Sequence, residues 1–542
     1  MGRTVVGLPR EKGRRLEPSG RLELTWTNKH LRLISDPDGG YEWVEPTDPR
    51  VSEVRLLHEV GTVGGDSFES GNLLIEGDAL HTLTALNLIP ELARRYAGQV
   101  RLVYIDPPFN TGQAFANYDD NLEHSVWLSM LRDRLVQLKP LLAPNGSIWV
   151  HLDDAEVHRC RCVMDEVLGA GNFVATMVWQ RRFSRSNDAQ VSLSHDYLLV
   201  YGPRGRSTEL NPLPATEQQL GRYTNPDEDP RGPWVSVSFN APNLRPNLTY
   251  EIQGPSGRVH TPPSGRCWST TEAEFERLRN EGRIYFGANG DGVPRLKRYL
   301  AEVNTAVRPW TWWPHDEVGN NQESAREIAA LGLERFATPK PERLLQRIIH
   351  IASDPGDLVL DCFAGSGTTA AVAHKMGRRW VTSEREADTV DRFTRPRLEK
   401  VVKGEDPGGI TAAVEWKGGG GFRHLRVGPS MFELDAETGD VFLAEWVTNG
   451  AFSEAVAAQL GFERADAPPF CGRKGRTRLA VLDGVVGAAE VEFLVAALDE
   501  RERVVVVGQA FTEDAEPTLR ALSPGSRVRH APHDLLRRGG RR

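Results

Sequence analysis

Apolar and polar positions change rhythm several times along the chain. Residues 1–70 show little periodicity; Gly39-Gly40 and Pro46 punctuate them, and one short strand-like piece stands at 41–44. From 72 onward, short apolar runs alternate with stretches of helical spacing. A buried strand is predicted at 73–75, ending at Gly77-Asp78, and a helix over 80–97. A second buried strand, 100–105, ends at Asp106-Pro107-Pro108. A helix over 124–142, a strand at 147–152 and a helix over 155–168 follow. Apolar strands alternating with helices signal a parallel sheet covered on both faces.

Residues 180–330 break this rhythm. They are rich in Pro, Gly, Asn, Arg and Trp, and read as an insertion. Within it, 310–313 (Trp-Thr-Trp-Trp) reads as core rather than as a stacking surface. The βα pattern returns with a helix at 344–352, a strand at 358–361, a helix at 368–375 and a strand at 380–384. A Gly-rich break at 418–421 leads into a C-terminal α/β region with strands near 478–482 and 503–507. No internal repeat is found.

Composition narrows the class. A 39% hydrophobic and 26% charged chain is that of a soluble globular protein. No apolar run approaches the roughly 20 residues of a membrane span. The basic N-terminus has no apolar signal core, and Val6 breaks the myristoylation pattern that Gly2 opens. Five scattered cysteines, at 160, 162, 267, 362 and 471, lack metal-ligand spacing and read as buried or half-buried thiols. No metal site is expected, and a reducing, cytoplasmic setting is. The net charge of −8 leaves room for a local basic face, such as Arg181, Arg182 and Arg185, or Arg204 and Arg206. The terminal Arg537, Arg538, Arg541 and Arg542 read as a solvated tail.

Two segments carry the chemistry. The first runs from Val103 to Gly112 and holds Asp106-Pro107-Pro108-Phe109. A buried strand delivers a carboxylate at its C-terminal end, where open α/β sheets place their sites. The prolines lack amide hydrogens, so carbonyls there can face outward as acceptors, and Phe109 offers a flat aromatic face. Alone, this tetrapeptide is equally a capped turn. The second segment is Asp361-Cys362-Phe363-Ala364-Gly365-Ser366-Gly367-Thr368-Thr369: strand, Gly-rich turn, helix start. Gly365 and Gly367 permit close approach to the backbone, and the helix start offers amide donors. Glu384, closing the next strand, can accept from ribose hydroxyls. The segment is not a phosphate-binding P-loop, because the chain has no Gly-Lys dipeptide. Any ATP-driven step would therefore belong to another polypeptide.

Together the two segments resemble the amino-methyltransferases of DNA, in the circularly permuted order of the β class. The segments 104–112, 195–201, 229–234 and 419–423 resemble modification subunits of type III restriction–modification systems, and the resemblance covers roughly 40–440. It implies a Rossmann-like methyltransferase sheet, circularly permuted, with an inserted target-recognition region and a C-terminal α/β domain. The corresponding divisions are 1–70 for an N-terminal segment, 71–180 for the catalytic half, 181–335 for the recognition insert, 336–404 for the cofactor half and 405–542 for the C-terminal domain.

The resemblance implies that S-adenosyl-L-methionine is held by Asp78, Lys340, Asp361, Phe363, Gly365, Gly367, Thr368 and Glu384. Asp78 would sit near the adenine, and the 338–342 element (Thr-Pro-Lys-Pro-Glu) would close over the methionine end. Catalysis would fall to Asp106, Pro107, Pro108 and Phe109. Asp106 and the Pro107 carbonyl would accept the two hydrogens of adenine N6 in a flipped-out base stacked on Phe109. The family more often has Tyr where Phe109 stands, and the strand before Glu384 reads Val381-Thr382-Ser383 where smaller or apolar residues are usual. Double-stranded DNA is the implied substrate, a homodimer the implied assembly, and a separate restriction subunit a possible partner. The competing readings are cytosine N4 as the target, a recognition subunit without catalysis, and an RNA substrate.

Overall fold

The computed structural model describes residues 23–35, 40–65, 71–110, 114–115, 118–119, 123–185, 190–435, 438 and 440–536. The N-terminal signal and acylation readings, Gly39, Thr111-Gly112 and the four terminal arginines lie outside the described residues. The chain forms two compact units, 1–210 with 310–542, and 211–309.

The first unit is built on a ten-stranded sheet. In chain order its strands are β1 (Leu57–Gly64), β2 (Leu73–Glu76), β3 (Val100–Ile105), β4 (Leu142–Leu152), β5 (Phe173–Gln180), β6 (His195–Tyr201), β7 (Trp312–Trp313), β8 (Leu358–Asp361), β9 (Arg379–Glu384) and β10 (Gly421–Val427). Across the sheet the order is β7-β5-β6-β4-β3-β8-β9-β2-β10-β1. The run from β4 to β10 is parallel; β6 and β1 join it antiparallel. All residues of β2, β3 and β8 are buried, as a sheet covered on both faces requires. β3 and β8 are neighbours although more than 250 residues separate them in the chain.

Three features differ from the sequence reading. The predicted 80–97 helix is two helices, α1 (Ala79–Leu88) and α2 (Pro90–Tyr96), with Ile89 extended between them. Pro90 has no amide to donate and disfavours helical backbone at the residue before it. The helix read to 142 is α3 (His124–Leu138), closed by a 3-10 turn containing Pro140 before β4 begins. β1 lies in the stretch read as irregular. As an edge strand it carries His58, Glu59 and two glycines, which hide its alternation. The strand at 41–44 is present and pairs with Arg32–Ser35. Of the tryptophans at 310–313, read as core, only Trp313 is buried; Trp310 and Trp312 are 55% and 43% exposed.

Downstream of β7 come α4 (Glu342–Ala352), α5 (Thr368–Lys375) and α6 (Arg395–Lys403). The C-terminal part builds its own five-stranded sheet, in which Thr477–Val486, Arg503–Phe511 and Arg527–His530 run parallel. No helix among the described residues is long and apolar enough to cross a membrane.

The second unit has its own core around Phe239, Trp268 and Phe275. Its Asp229 accepts from Arg231 (2.9 Å), Lys297 (2.8 Å) and Tyr299 (2.7 Å). The Arg231 bond, opposed by burial and helped by Lys297 and Tyr299, holds that carboxyl far below the usual range. An antiparallel bridge joins Leu213 to Val307 near the unit's two ends.

Candidate active site

Between β3 and β8 the chain order across the sheet reverses, and a parallel sheet opens a crevice at such a point. A cavity of about 730 Å³ lies there, at the carboxyl ends of the strands. Its lining includes Asp106, Pro107, Pro108 and Phe109 from the end of β3, Lys340, and Asp361, Phe363, Gly365, Thr368 and Glu384 from the other side. Gly367 and Asp78 are not among the lining residues. Gly367 caps α5 in the left-handed region (φ +77°), directly behind Gly365.

Of the carboxylates at or just past the ends of parallel strands, four share one habit. Asp78 accepts from the amide of Leu80 (2.7 Å), Asp153 from Ala155 (2.9 Å), Asp361 from Phe363 (3.0 Å) and Glu384 from Glu386 (3.1 Å). In each case the donor is the residue two positions on, the local geometry of an Asx-type turn. Asp106 cannot share it, because two positions on stands Pro108, which has no amide hydrogen. The Asp106 Oδ1 atom is buried and has no hydrogen-bond partner among the described residues. Its Oδ2 pairs with the Lys340 ammonium. A buried acceptor left without a donor is costly, so a site that keeps one is prepared for a donor from outside.

The loop around Asp106 is held firmly. The Trp127 indole, fully buried, donates to the Pro108 carbonyl at 2.6 Å. No described residue donates to the Pro107 carbonyl. Phe109 packs on His151 with ring centroids 5.7 Å apart, and the Lys340 Nζ stands 5.0 Å from its ring centre. Behind it runs a largely buried chain, of which the sequence reading singled out only Arg181, as part of a basic face. The Tyr104 hydroxyl meets His151 Nδ1 at 2.8 Å, His151 Nε2 meets Asp196 at 3.3 Å, and Arg181 pairs with Asp196 at 3.1 Å. His195-Asp196 opens the 195–201 segment of the family resemblance, but only the pairing of β6 with β4 brings Asp196 to His151.

The Gly-rich side is built differently. Gly365 takes φ +49°, which a residue with a side chain adopts at a cost. Its amide donates to Glu384 Oε2 at 2.8 Å. Burial pushes the Asp361 carboxyl up to about 7, with bonds from Thr369 and Phe363 opposing and the charges of Asp106 and Glu384 adding to the rise. Burial also raises Glu384, against the amides of Glu386 and Gly365.

Beneath the loop, buried Glu342 accepts from Lys375 (2.8 Å), Arg397 (2.8 Å) and the Ile410 amide (2.9 Å). Arg397 also donates to Thr368 at 2.7 Å. This web ties the 338–342 element to the first residue of α5. Asp78 belongs to another web. Besides capping α1, it accepts from Ser35 (2.7 Å) and from buried Arg134 (2.9 Å). Burial would raise its carboxyl, but Arg134 prevails and holds it far below the usual range.

Residues 100–395 match the family described as DNA methylase. A Type III restriction-modification enzyme StyLTI Mod subunit of Salmonella typhimurium is 35% identical over 336 residues, covering 56% of this chain and 49% of that protein. The probable type III restriction-modification enzyme HindVI Mod subunit of Haemophilus influenzae is 28% identical, covering 67% of this chain and 55% of that one. The DNA adenine methyltransferase YhdJ of Escherichia coli is 44% identical over 344 residues, covering 61% of this chain and 87% of that one. The chain thus spans about half the length of the two type III subunits.

Proposed function

The chain belongs to the DNA methylase family, and on that premise we propose that it is a site-specific DNA methyltransferase acting on adenine N6. Its place would be as the modification component of a restriction–modification system. The observation that supports this most is the unpartnered Asp106 Oδ1 in the cavity. An exocyclic amine presents two N–H donors in one plane. Asp106 Oδ1 accepts one and the Pro107 carbonyl the other, which draws the nitrogen lone pair out of conjugation with the ring. Phe109 gives the flipped-out base a face to stack on, worth about 1–3 kcal/mol. Fixed acceptors in a dry site also favour the positive charge that grows on the nitrogen.

The residues present fit S-adenosyl-L-methionine as cofactor. The cavity is lined by five carboxylates, Asp106, Asp153, Asp196, Asp361 and Glu384, which suits a ligand that carries two positive groups. Gly365 and Gly367 bring the backbone close, Thr368 opens α5, and Phe363 offers an apolar face. These residues, with Asp361 and Glu384, would hold the cofactor, which when bound supplies an activated methyl group.

Double-stranded DNA would reach the cavity across Arg182, Arg185 and Arg335, which line its mouth and make no ion pair among the described residues. Phe183, 54% exposed and stacked on His315 at 5.2 Å, stands beside them. Sequence reading would fall to residues within 181–335. Homodimer formation and pairing with a separate ATP-dependent restriction subunit complete the proposal.

The test is expression in a methylation-free host, followed by nucleoside mass spectrometry and single-molecule sequencing of its DNA. N6-methyladenine at one recurring sequence is expected. N4-methylcytosine would move the target to cytosine, and unmodified DNA would defeat the reading.

A further inference from the structure

We propose that Phe183 is the wedge that enters the duplex at the place the target base leaves. The inference rests on the methyltransferase reading of the same cavity. A base cannot reach Asp106 while it is stacked and paired, and extruding it forfeits both kinds of contact. An apolar ring that slides into the gap restores part of what is lost. Such a ring must stand at the cavity mouth, present bare surface and be held from behind.

Phe183 meets all these conditions. It lines the cavity together with Phe109, yet it is 54% exposed, whereas Phe109 is half-buried against His151. The Phe183 ring stacks on the His315 ring, with centroids 5.2 Å and planes 24° apart. His315 is pinned in turn: its amide and its Nδ1 both meet Gln180 Oε1, at 3.3 and 2.9 Å. The backbone leading to Phe183 is fixed from both sides. The Arg182 amide donates to the Ser194 carbonyl, and the Arg181 carbonyl accepts from the Asn321 amide, each at 3.2 Å. The ring is therefore ordered before it meets a ligand, and little freedom is lost when it stacks.

The setting selects nucleic acid as what covers it. Arg182 and Arg185 line the same mouth and make no ion pair among the described residues. Guanidiniums without a carboxylate partner bind the phosphates of an opened step and set the ring at the level of the bases. A protein contact would want an apolar surround, but the neighbours of Phe183 along the chain are Arg182, Ser184 and Arg185. The two phenylalanines thus divide the work: Phe109 receives the base inside, and Phe183 fills the place it left.

The experiment compares a fully paired duplex, carrying the sequence that wild type methylates, with the same duplex bearing an abasic site opposite the target adenine. The second has no pairing to break at the target, so a wedge matters less there. On the paired duplex Phe183→Ala should lower kcat/KM by about 10- to 100-fold. On the abasic duplex that deficit should shrink to about threefold or less. Phe183→Trp, which keeps a flat ring, should retain most of the activity on paired DNA. Phe183→Ser replaces the Ala variant if its thermal melt shows a folding defect.

An equal deficit on both duplexes would overturn the proposal, because the ring would then touch the base or the cofactor rather than open the helix. No deficit on either would also overturn it and assign the exposed ring to a protein contact. Wild-type protein that methylates no DNA defeats the reading of the site itself. Active wild type with either of the other outcomes defeats the wedge alone.

Discussion

The two banks of the cavity are built on opposite principles. On the Gly-rich bank the chain satisfies its own carboxylates: Asp361 takes the Phe363 amide, and Glu384 takes those of Gly365 and Glu386. On the Asp106 bank the chain offers no local amide, and Lys340 reaches the carboxylate only at Oδ2. Two prolines remove the local amides, Trp127 takes the Pro108 carbonyl, and Asp106 Oδ1 is left open. The first bank is finished before any ligand arrives, which suits a cofactor bound the same way in every cycle. The second is left incomplete in the one place where a donor from the substrate must fit. Proline, usually read as a stiffener, here acts as a missing donor.

The largest test of this contrast removes the open acceptor. Asp106→Ala should reduce methyl transfer by about 10³-fold or more while cofactor affinity persists. Labelled-methyl incorporation and calorimetry separate the two, and a joint loss would erase the distinction between the banks. A finer cut leaves Asp106 in place. Pro108→Ala restores an amide two residues on, so Asp106 can be capped as its neighbours are. A charge-assisted hydrogen bond is worth about 1.5–3 kcal/mol, so kcat should fall by about 10- to 100-fold. Unchanged kcat would show that the proline does not keep the acceptor free.

The other bank is probed by pH. Asp361 titrates near 7, so below that it is neutral and above it negative. A cationic cofactor prefers the ionised form. Affinity should therefore rise with pH up to about 7 and level off above, by at most about tenfold per unit. Calorimetry between about pH 5.5 and 8.5 measures it, and Asp361→Asn should flatten the profile. The smallest effects belong to the mouth. Arg182→Ala and Arg335→Ala should each weaken DNA binding a few-fold and reduce the slope of log affinity against log salt by about 0.9. Transfer at saturating DNA should hold.

What the sequence displayed was whatever a few consecutive residues decide. The Asp106–Phe109 loop and the Gly365–Thr368 turn each follow directly from a buried strand, so both could be read locally. Asp78 shows the limit. It too follows a buried strand, but Ala79 opens a helix at once, and the carboxylate becomes that helix's cap and the partner of Arg134. Nothing beside Asp78 in the sequence announces Arg134 or Ser35. Lys340 and Asp106 meet only because β3 and β8 are neighbours, and Asp196 reaches His151 only through the pairing of β6 with β4. β1 stayed hidden because an edge strand needs polar residues where a central one shows apolar ones.

The bridge between Leu213 and Val307 has a consequence for how such chains diversify. The stretch it closes starts and finishes side by side, and every residue of the cavity lies outside it. Chain can be spliced, lengthened or exchanged beyond that neck without altering the spacing of Asp106 and Gly365. The 211–309 unit is therefore separable along the chain from the proposed methyl-transfer site, and a graft made at 213 and 307 is where its exchange would begin.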